Sequence, residues 1–354
     1  LPLHRWLNER IFPFEDKLYS EGVYWATMLT MAESIRFGIV STTDMYYFTD
    51  DMVRAVVHSG VKTNISRAVT NFGTPVSESQ SLKEAAQAIE MYYGFEDGRI
   101  IVDASAHAEY TNDFEMLKAI ADMAKHYDVR THIHLSETKS EHENCIEKYG
   151  KTPAEVFLEA GMFDVPCTAA HCVWVEDNDI DIFRKKGVTV VSNPCSNMKL
   201  ASGMCHVPPL YDKGINVAIG TDSVASNNSL NFFEEIKFFA LTGKITSMDP
   251  ASMTPQQVLR SATRAGALSQ GREDCGLVKE GYKADLIVVD ITGPNWTACD
   301  DIANGLIYSA DGKDVCLTMC DGMTLYRDGE YTFLDIEKVT AETEKAKAEI
   351  LKRL

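Results

Sequence analysis

Short apolar runs recur along the chain, and each is followed by a stretch in which apolar residues return every three or four positions. The runs at 38–43, 61–66, 99–104, 129–134, 167–171, 189–193 and 217–222 predict strands. The stretches at 27–37, 51–59, 81–93, 112–127, 152–160 and 177–186 predict amphipathic helices between them. Nearly continuous apolar strands alternating with such helices imply a parallel sheet covered by helices. The apolar runs tend to finish in residues capable of chemistry: Asp44, His107, His134, His171, Asn193 and Asp222. In a (β/α)8 TIM-type barrel these positions converge on the mouth, where active sites sit. A doubly wound open sheet would carry a glycine-rich phosphate turn after its first strand, and no GxGxxG occurs. The predicted fold class is therefore α/β, a barrel of which seven strands are found where a closed one needs eight.

Beyond the barrel pattern, 282–291 and 315–331 are strand-like, the latter with turn signals at Asp321-Gly322 and Asp328-Gly329. They predict a small C-terminal antiparallel β unit. Residues 336–354 are rich in Lys, Glu and Ala and predict a terminal, solvated helix. The expected organisation is a barrel over 1–275, part of a small β domain over 276–335, and the helix over 336–354.

Composition narrows the function. With 354 residues and 45% hydrophobic positions, the chain can bury a large core, so disorder is excluded. Its 34 basic against 52 acidic residues give a net charge of −18, a field that repels phosphate backbones and anionic membranes. No apolar run reaches the ~20 residues of a bilayer span. Nine cysteines without a CxxC pair fit reduced thiols, mostly packed in the core, and a cytoplasmic setting.

The candidate chemistry centres on Thr131-His132-Ile133-His134-Leu135-Ser136-Glu137. His132 and His134 share a strand face. His134 is nearer the strand's C-terminal end, and Glu137 lies just beyond it. His171 and Asp222 end two further runs. Two histidines and an aspartate can hold or polarise a divalent ion. Such an ion lowers the pKa of a bound water toward ~7, and a neighbouring carboxylate can shuttle the proton. Singly, each residue has a plainer reading: a structural hydrogen bonder for a lone histidine, a helix-dipole carboxylate for Glu137, an N-cap before 231–241 for Asp222. Jointly, on three strand ends, they favour metal-dependent hydrolysis. His132 reads as structural, and His58, His126, His142 and His206 as solvent-facing. No GxSxG elbow supports a serine nucleophile.

At these residues the chain resembles the amidohydrolase superfamily. Within it the chain is most similar to the methylthioadenosine/S-adenosylhomocysteine deaminase branch, with its guanine-deaminase and chlorohydrolase relatives. The matching stretches are Trp6-Leu7, Ile11-Phe12-Pro13, Glu15, HIHLSET at 132–138, AAHCV at 169–173, SNPCSNMKLASG at 192–203, GTDSVASNNSLNFFEE at 220–235 and GLVKEGYKADLIVVD at 276–290. The resemblance implies His134 and Asp222 as metal ligands, the latter from the eighth strand. It implies Glu137 as the group that protonates the purine ring nitrogen, and His171 as a contact of the attacking water or departing amino group. Trp6, Glu15, Arg67 and His107 match positions that shape or grip the substrate, with Glu15 suited to ribose hydroxyls. The ion would be zinc, although iron or manganese suits the same donors.

The pattern departs from the family twice. The family's first two ligands form an HxH pair on the first barrel strand, upstream of Trp6, and the chain opens at Leu1 without it. A strand carrying two further histidine ligands is therefore expected in front of this chain. Members that accept a homocysteine tail also carry an arginine for its carboxylate after the Arg67 strand, and 74–83 has none. The expected reaction is deamination of methylthioadenosine, adenosine or a deoxyadenosine, rather than S-adenosylhomocysteine. The expected partner is this small substrate, with no nucleic acid or membrane, and the oligomeric state is left open, although barrels of this size commonly pair. Two alternatives remain: an amino- or chlorohydrolase of another purine, pterin or triazine ring, and a metal-free, non-catalytic binding barrel.

Overall fold

The computed structural model of the protein describes residues 3–71 and 73–354, and Leu1, Pro2 and Phe72 lie outside it. The parallel strands are β1 (Ser41–Tyr46), β2 (Lys62–Arg67), β3 (Ile100–Val102), β4 (Ala104–Ala106), β5 (Thr131–Leu135), β6 (Cys167–His171), β7 (Thr189–Ser192) and β8 (Val217–Ile219). They pair in chain order as β1-β2-β3 and β4-β5-β6-β7-β8, every pairing parallel. A bridge between Val69 and Ala106 joins the two sheets. This is the TIM-type arrangement that the pattern predicts.

The run at 99–104 is one strand in the hydrophobic pattern and two in the structure. Asp103 interrupts it. Its backbone N–H still donates to the Ile65 carbonyl at 3.0 Å, while its buried carboxylate accepts both bonds from Asn64 Nδ2, at 3.1 and 3.2 Å. β3 and β4 are thus halves of one barrel position, which preserves the count of seven.

β1 starts three residues later than the pattern suggests. Gly38, at φ +83°, closes the helix Ser20–Arg36, and Ile39 N–H returns to the Ser34 carbonyl at 2.8 Å. Ile39 thus belongs to the helix exit. Pairing begins only where Ser41 meets Lys62, so Asp44 lies inside β1 and does not end it.

The inner strands are buried on both faces, as in β6, where every residue is buried. Helices enclose them, placing Phe157, Phe183 and Phe239 in the core with Ile133 and Leu135. One helix after β5, Lys139–Tyr149, was not indicated by apolar spacing because it carries few apolar side chains. Its signal is a capping box, in which Thr138 accepts from Glu141 N–H and the Glu141 carboxylate returns to Thr138 N–H.

The C-terminal unit is an antiparallel sheet ordered β12-β11-β10-β9, formed by β9 (Leu286–Val289), β10 (Val315–Cys320), β11 (Met323–Arg327) and β12 (Glu330–Tyr331). Both predicted turns are present, with Asp321 and Gly322 at φ +49° and +77°, and Asp328 and Gly329 at +48° and +100°. The sheet packs on the helix Ser20–Arg36, where Thr318 Oγ1 donates to the Ile35 carbonyl at 2.8 Å and Tyr331 Oη to the Ala32 carbonyl at 3.0 Å. The terminal helix Ile336–Arg353 packs there as well and is not wholly solvated. Val339, Ala346 and Ile350 are buried, and Thr343 Oγ1 donates to the Trp25 carbonyl at 3.0 Å. Among the described residues, no helix is long and apolar enough to cross a membrane.

A buried ion cluster ties the small sheet to the base of the barrel. Lys62 on β2, only 3% exposed, reaches Asp285 at 2.5 Å and Asp321 at 2.7 Å. Lys62→Met leaves Asp285 without its cation and Asp321 with Arg99, 3.2 Å away, as its nearest one. We expect it to lower unfolding free energy by about 3–5 kcal/mol, read by urea denaturation, whereas Lys213→Met at the exposed pair with Asp181 should leave the midpoint unchanged.

Candidate active site

A cavity of about 1180 Å³ runs from the C-terminal ends of the strands, where His107, His134, Glu137, His171 and Asp222 line it, down to Cys275 and Asp285 at the base of the barrel. The backbone is left-handed at three of the strand ends, with φ +46° at Ser136, +72° at His171 and +59° at Asp222. Such conformations cost of order 1–3 kcal/mol each in non-glycine residues and persist where the surroundings impose them. Here they turn the side chains inward.

The imidazoles are oriented through their Nδ1 atoms. The His134 Nδ1–H donates to the His107 carbonyl at 2.7 Å, which leaves the Nε2 lone pair free. His171 Nδ1 meets Asn197 Oδ1 at 2.8 Å, a bond that only an Nδ1–H can make. Asn193 Nδ2 lies farther off, at 3.3 Å. The rings crowd together: His134 lies 4.9 Å from His107 and 5.4 Å from His171, centroid to centroid. Desolvation, reinforced by the neighbouring imidazoles, lowers the pKa of His107 and His132 to about 3 and shifts His134 in the same direction. Neutral rings with a free nitrogen result.

The carboxylates diverge. Burial, with help from Asp222, raises the pKa of Glu137 to about 7, against the opposing pull of His134 and the Ser202 hydroxyl. Burial also disfavours the charge of Asp222, but His171, Ser196 and the Ser223 N–H outweigh it and hold the group below the ordinary value. Ser202 Oγ donates to Glu137 Oε1 at 3.3 Å. Ser223 N–H donates to Asp222 Oδ1 at 2.6 Å, and the Ser196 hydroxyl donates to Oδ2. Glu137 Oε2 lies 3.8 Å from His171 Nε2. Two acids of different strength therefore face one space, one able to carry a proton near neutral pH and the other anionic.

Among the described residues, no three His, Cys, Asp or Glu side chains group closely enough to enclose a metal ion. His134 and Asp222 nevertheless have the donor chemistry a divalent ion takes, a tethered neutral imidazole with its Nε2 lone pair free and an ionised carboxylate.

A model of the amidohydrolase family matches residues 1–325. The chain belongs to the amidohydrolase family. It is 41% identical to a 5-methylthioadenosine/S-adenosylhomocysteine deaminase of Dictyoglomus thermophilum, over 100% of this chain and 82% of that protein. It is 39% identical to a 5'-deoxyadenosine deaminase of Methanosarcina mazei, again over 100% of this chain and 82% of the relative. Among solved structures, an adenosine deaminase from Xanthomonas campestris with bound zinc superposes with a TM-score of 0.94 at 28% identity, covering 99% of this chain and 81% of that one.

The remaining candidate residues of this amidohydrolase are placed unequally. Trp6 and Glu15 line the same cavity. Tyr46 Oη donates to Glu15 Oε1 at 2.8 Å, a bond that partly offsets the rise in pKa that burial gives Glu15. Arg67 does not line the cavity. Its Nε donates to Glu84 at 2.8 Å, its Nη1 to the Ala68 carbonyl, and its guanidinium stands 4.8 Å above the ring of Tyr47. His132 is buried, 3.4 Å from Ser66 Oγ. Asp222 does not cap the helix Phe232–Ser247, whose N-cap is Asn231. His58, His126 and His206 are exposed as expected, but His142 is not. It is buried between Ser136 Oγ at 3.1 Å and Glu176 Oε1 at 3.3 Å, because its helix turns that face inward.

Sequence reasoning overlooked Tyr46, Ser196, Asn197 and Ser202. The last three lie in the segment 192–203, whose resemblance was recognised without roles for its side chains. That segment touches Asp222, His171 and Glu137 in turn. Its close packing requires Gly220, where a Cβ would fall 2.3 Å from Asn193 Oδ1.

Asn197→Ala should cost about 1–3 kcal/mol in urea unfolding, because the buried His171 Nδ1–H loses its acceptor. Nitrogen NMR of His171 should then show its two ring tautomers mixing where the wild type shows one.

Proposed function

We propose that this amidohydrolase deaminates adenosine-type nucleosides hydrolytically, with a divalent metal, zinc by preference, held by His134 and Asp222. The observation that carries the reading is the convergence of a neutral, tethered His134, an anionic Asp222 and a proton-carrying Glu137 on a cavity that also presents Glu15. The names of the similar deaminases support the substrate class. When bound, the metal supplies the Lewis acidity that makes water a nucleophile near neutral pH.

The chain's own groups supply the rest. Asp222 orients the attacking water and accepts its proton. Glu137, near pH 7 in its proton affinity, delivers a proton to the ring nitrogen next to the amino-bearing carbon. A carbon–oxygen bond forms, and the carbon–nitrogen bond breaks with the proton held by Asp222 passing to the departing amine, with His171 beside the departing group. The new hydroxyl returns a proton to Glu137 as the product carbonyl forms. The same requirement is met by other zinc deaminases acting on adenine rings. Glu15, held by Tyr46, is placed to accept from ribose hydroxyls. The segment 74–83 offers no arginine for an amino-acid carboxylate, and Arg67 is committed to Glu84. Methylthioadenosine, adenosine and 5'-deoxyadenosine therefore fit better than S-adenosylhomocysteine.

Loss of adenosine absorbance on adding zinc-loaded protein is the direct test, and no turnover of any purine nucleoside would sink the proposal. Glu137→Gln should lower kcat by about 10²–10⁴-fold with a smaller effect on KM. The wild-type kcat/KM should fall as pH rises through the Glu137 pKa, since the protonated acid is the active form. Glu15→Ala should instead raise KM for ribosides, and unchanged kinetics would show that Glu15 does not grip the sugar.

A further inference from the structure

Behind the site lie two more carboxyl groups that the mechanism does not use. Glu109, in the turn Glu109–Thr111, is 2% exposed, and Glu141, in the helix Lys139–Tyr149, is 7% exposed. Glu141 Oε2 is well satisfied, accepting the Glu137 N–H at 2.8 Å and the Thr138 N–H at 3.2 Å. Its other oxygen and both oxygens of Glu109 are buried and meet no hydrogen-bond donor among the described residues. Three buried carboxylate oxygens without donors cannot all belong to ionised groups, since each would bear the full cost of desolvation.

The surroundings do little to relieve the charge. Glu137 faces Glu141, and Tyr110 faces both carboxyls from the cavity side. Cys145 lies alongside on the helix, and Cys172 near Glu141 at the end of β6, both thiols pushed toward neutrality by burial. On Glu109, its own backbone N–H and Lys148 favour ionisation. On Glu141, the two N–H bonds and His171 do so. Burial and mutual repulsion prevail, and both carboxyls are shifted upward.

We propose that Glu109 and Glu141 share one proton in a buried carboxylic acid–carboxylate bond, and that this bond positions Glu137 for catalysis. Glu109 donates to the free oxygen of Glu141, while the other oxygen of Glu141 keeps its two backbone N–H bonds. The pair then staples two loops. One carries His107, whose carbonyl tethers His134, and the other carries Glu137. Loss of the shared proton puts two carboxylates in contact and drives the loops apart. The positioning role rests on Glu137 being the proton carrier, whereas the shared proton does not.

The sign of the pH effect is definite. Unfolded glutamates release their protons near pH 4, but the folded pair keeps one at neutral pH, so the folded state binds more protons there. Stability is then lost as pH rises toward the pair's own pKa, with the unfolding constant growing tenfold per pH unit for the retained proton. Glu109→Gln supplies a permanent neutral donor and removes this dependence. Other raised carboxyls, such as Glu137 and Glu235, contribute equally to both proteins and cancel in the comparison.

The test measures urea unfolding of the wild type and Glu109→Gln between pH 5 and 8. The unfolding constants should diverge tenfold per pH unit over the range in which the proton is retained, and infrared spectra should lose one neutral carboxylic acid band in the variant. Parallel stability curves with unchanged infrared bands overturn the shared proton. Glu141→Gln should give the same loss by presenting its amide to Glu109, which keeps the test decisive if Glu109→Gln folds poorly. Kinetics with the zinc-loaded enzyme and 5'-deoxyadenosine test positioning. Glu109→Ala should lower kcat about tenfold with KM little changed, and Glu109→Gln should restore it. Equal kcat values for the two variants overturn the positioning role. If the wild type deaminates no nucleoside, the proposed function fails, and the unfolding and infrared results still decide the shared proton.

Discussion

The chemistry at the barrel mouth depends on how two imidazole rings are tethered. His134 spends its Nδ1–H on a backbone carbonyl and His171 spends its own on an amide oxygen. These two bonds select the tautomer, aim the rings and leave both Nε2 atoms facing the cavity. Crowding of uncharged rings is tolerable, whereas crowding of imidazolium ions in the same space would not be. The lowered proton affinity of His107, His132 and His134 is therefore a consequence of the burial and packing that bring the rings together.

The carboxyl groups follow the same logic with the opposite sign. Burial, helped by the anionic Asp222 and opposed by His134 and one serine hydroxyl, raises the proton affinity of Glu137. Asp222 has a hydroxyl, a backbone N–H and two histidines, so its affinity falls. Their difference arises from solvation and hydrogen bonding, since isolated Asp and Glu differ little. The segment 192–203 is central to this separation, because its Ser196, Asn197 and Ser202 each grip a different member of the set. Three left-handed backbone positions then hold the side chains inward, a local cost that the large surrounding core can sustain.

Much of this was legible from residues alone. Periodicity located the inner strands, since burial on both faces leaves nearly continuous apolar runs, and Asp-Gly pairs located both hairpin turns. Histidines and acids ending such runs indicated a mouth of chemistry. Elements governed by other forces were harder to see. The helix Lys139–Tyr149 has too few apolar residues for a stripe and declares itself only through its capping box. The start of β1 depends on the way Gly38 ends the preceding helix, and apolar Ile39 disguises it. His142 on a polar helix looks solvent-facing until the fold places Ser136 and Glu176 around it.

The order of strands, the sign of the surface field and the identity of the reactive groups are properties of the chain as written, because they follow from local periodicity and charge. Tertiary structure alone decided which of those groups meet and in what protonation state. Arg67 and Glu15 carry equally suggestive chemistry, yet only Glu15 lines the cavity, because Arg67 finds Glu84 and Tyr47 first. Glu109 and Glu141 lie 32 positions apart on unremarkable surface-type patterns, and only the packing of a turn against a helix makes them neighbours. Proton affinity depends on the number of donors and the solvent within a few ångströms, and that environment is assembled by contacts between distant parts of the chain.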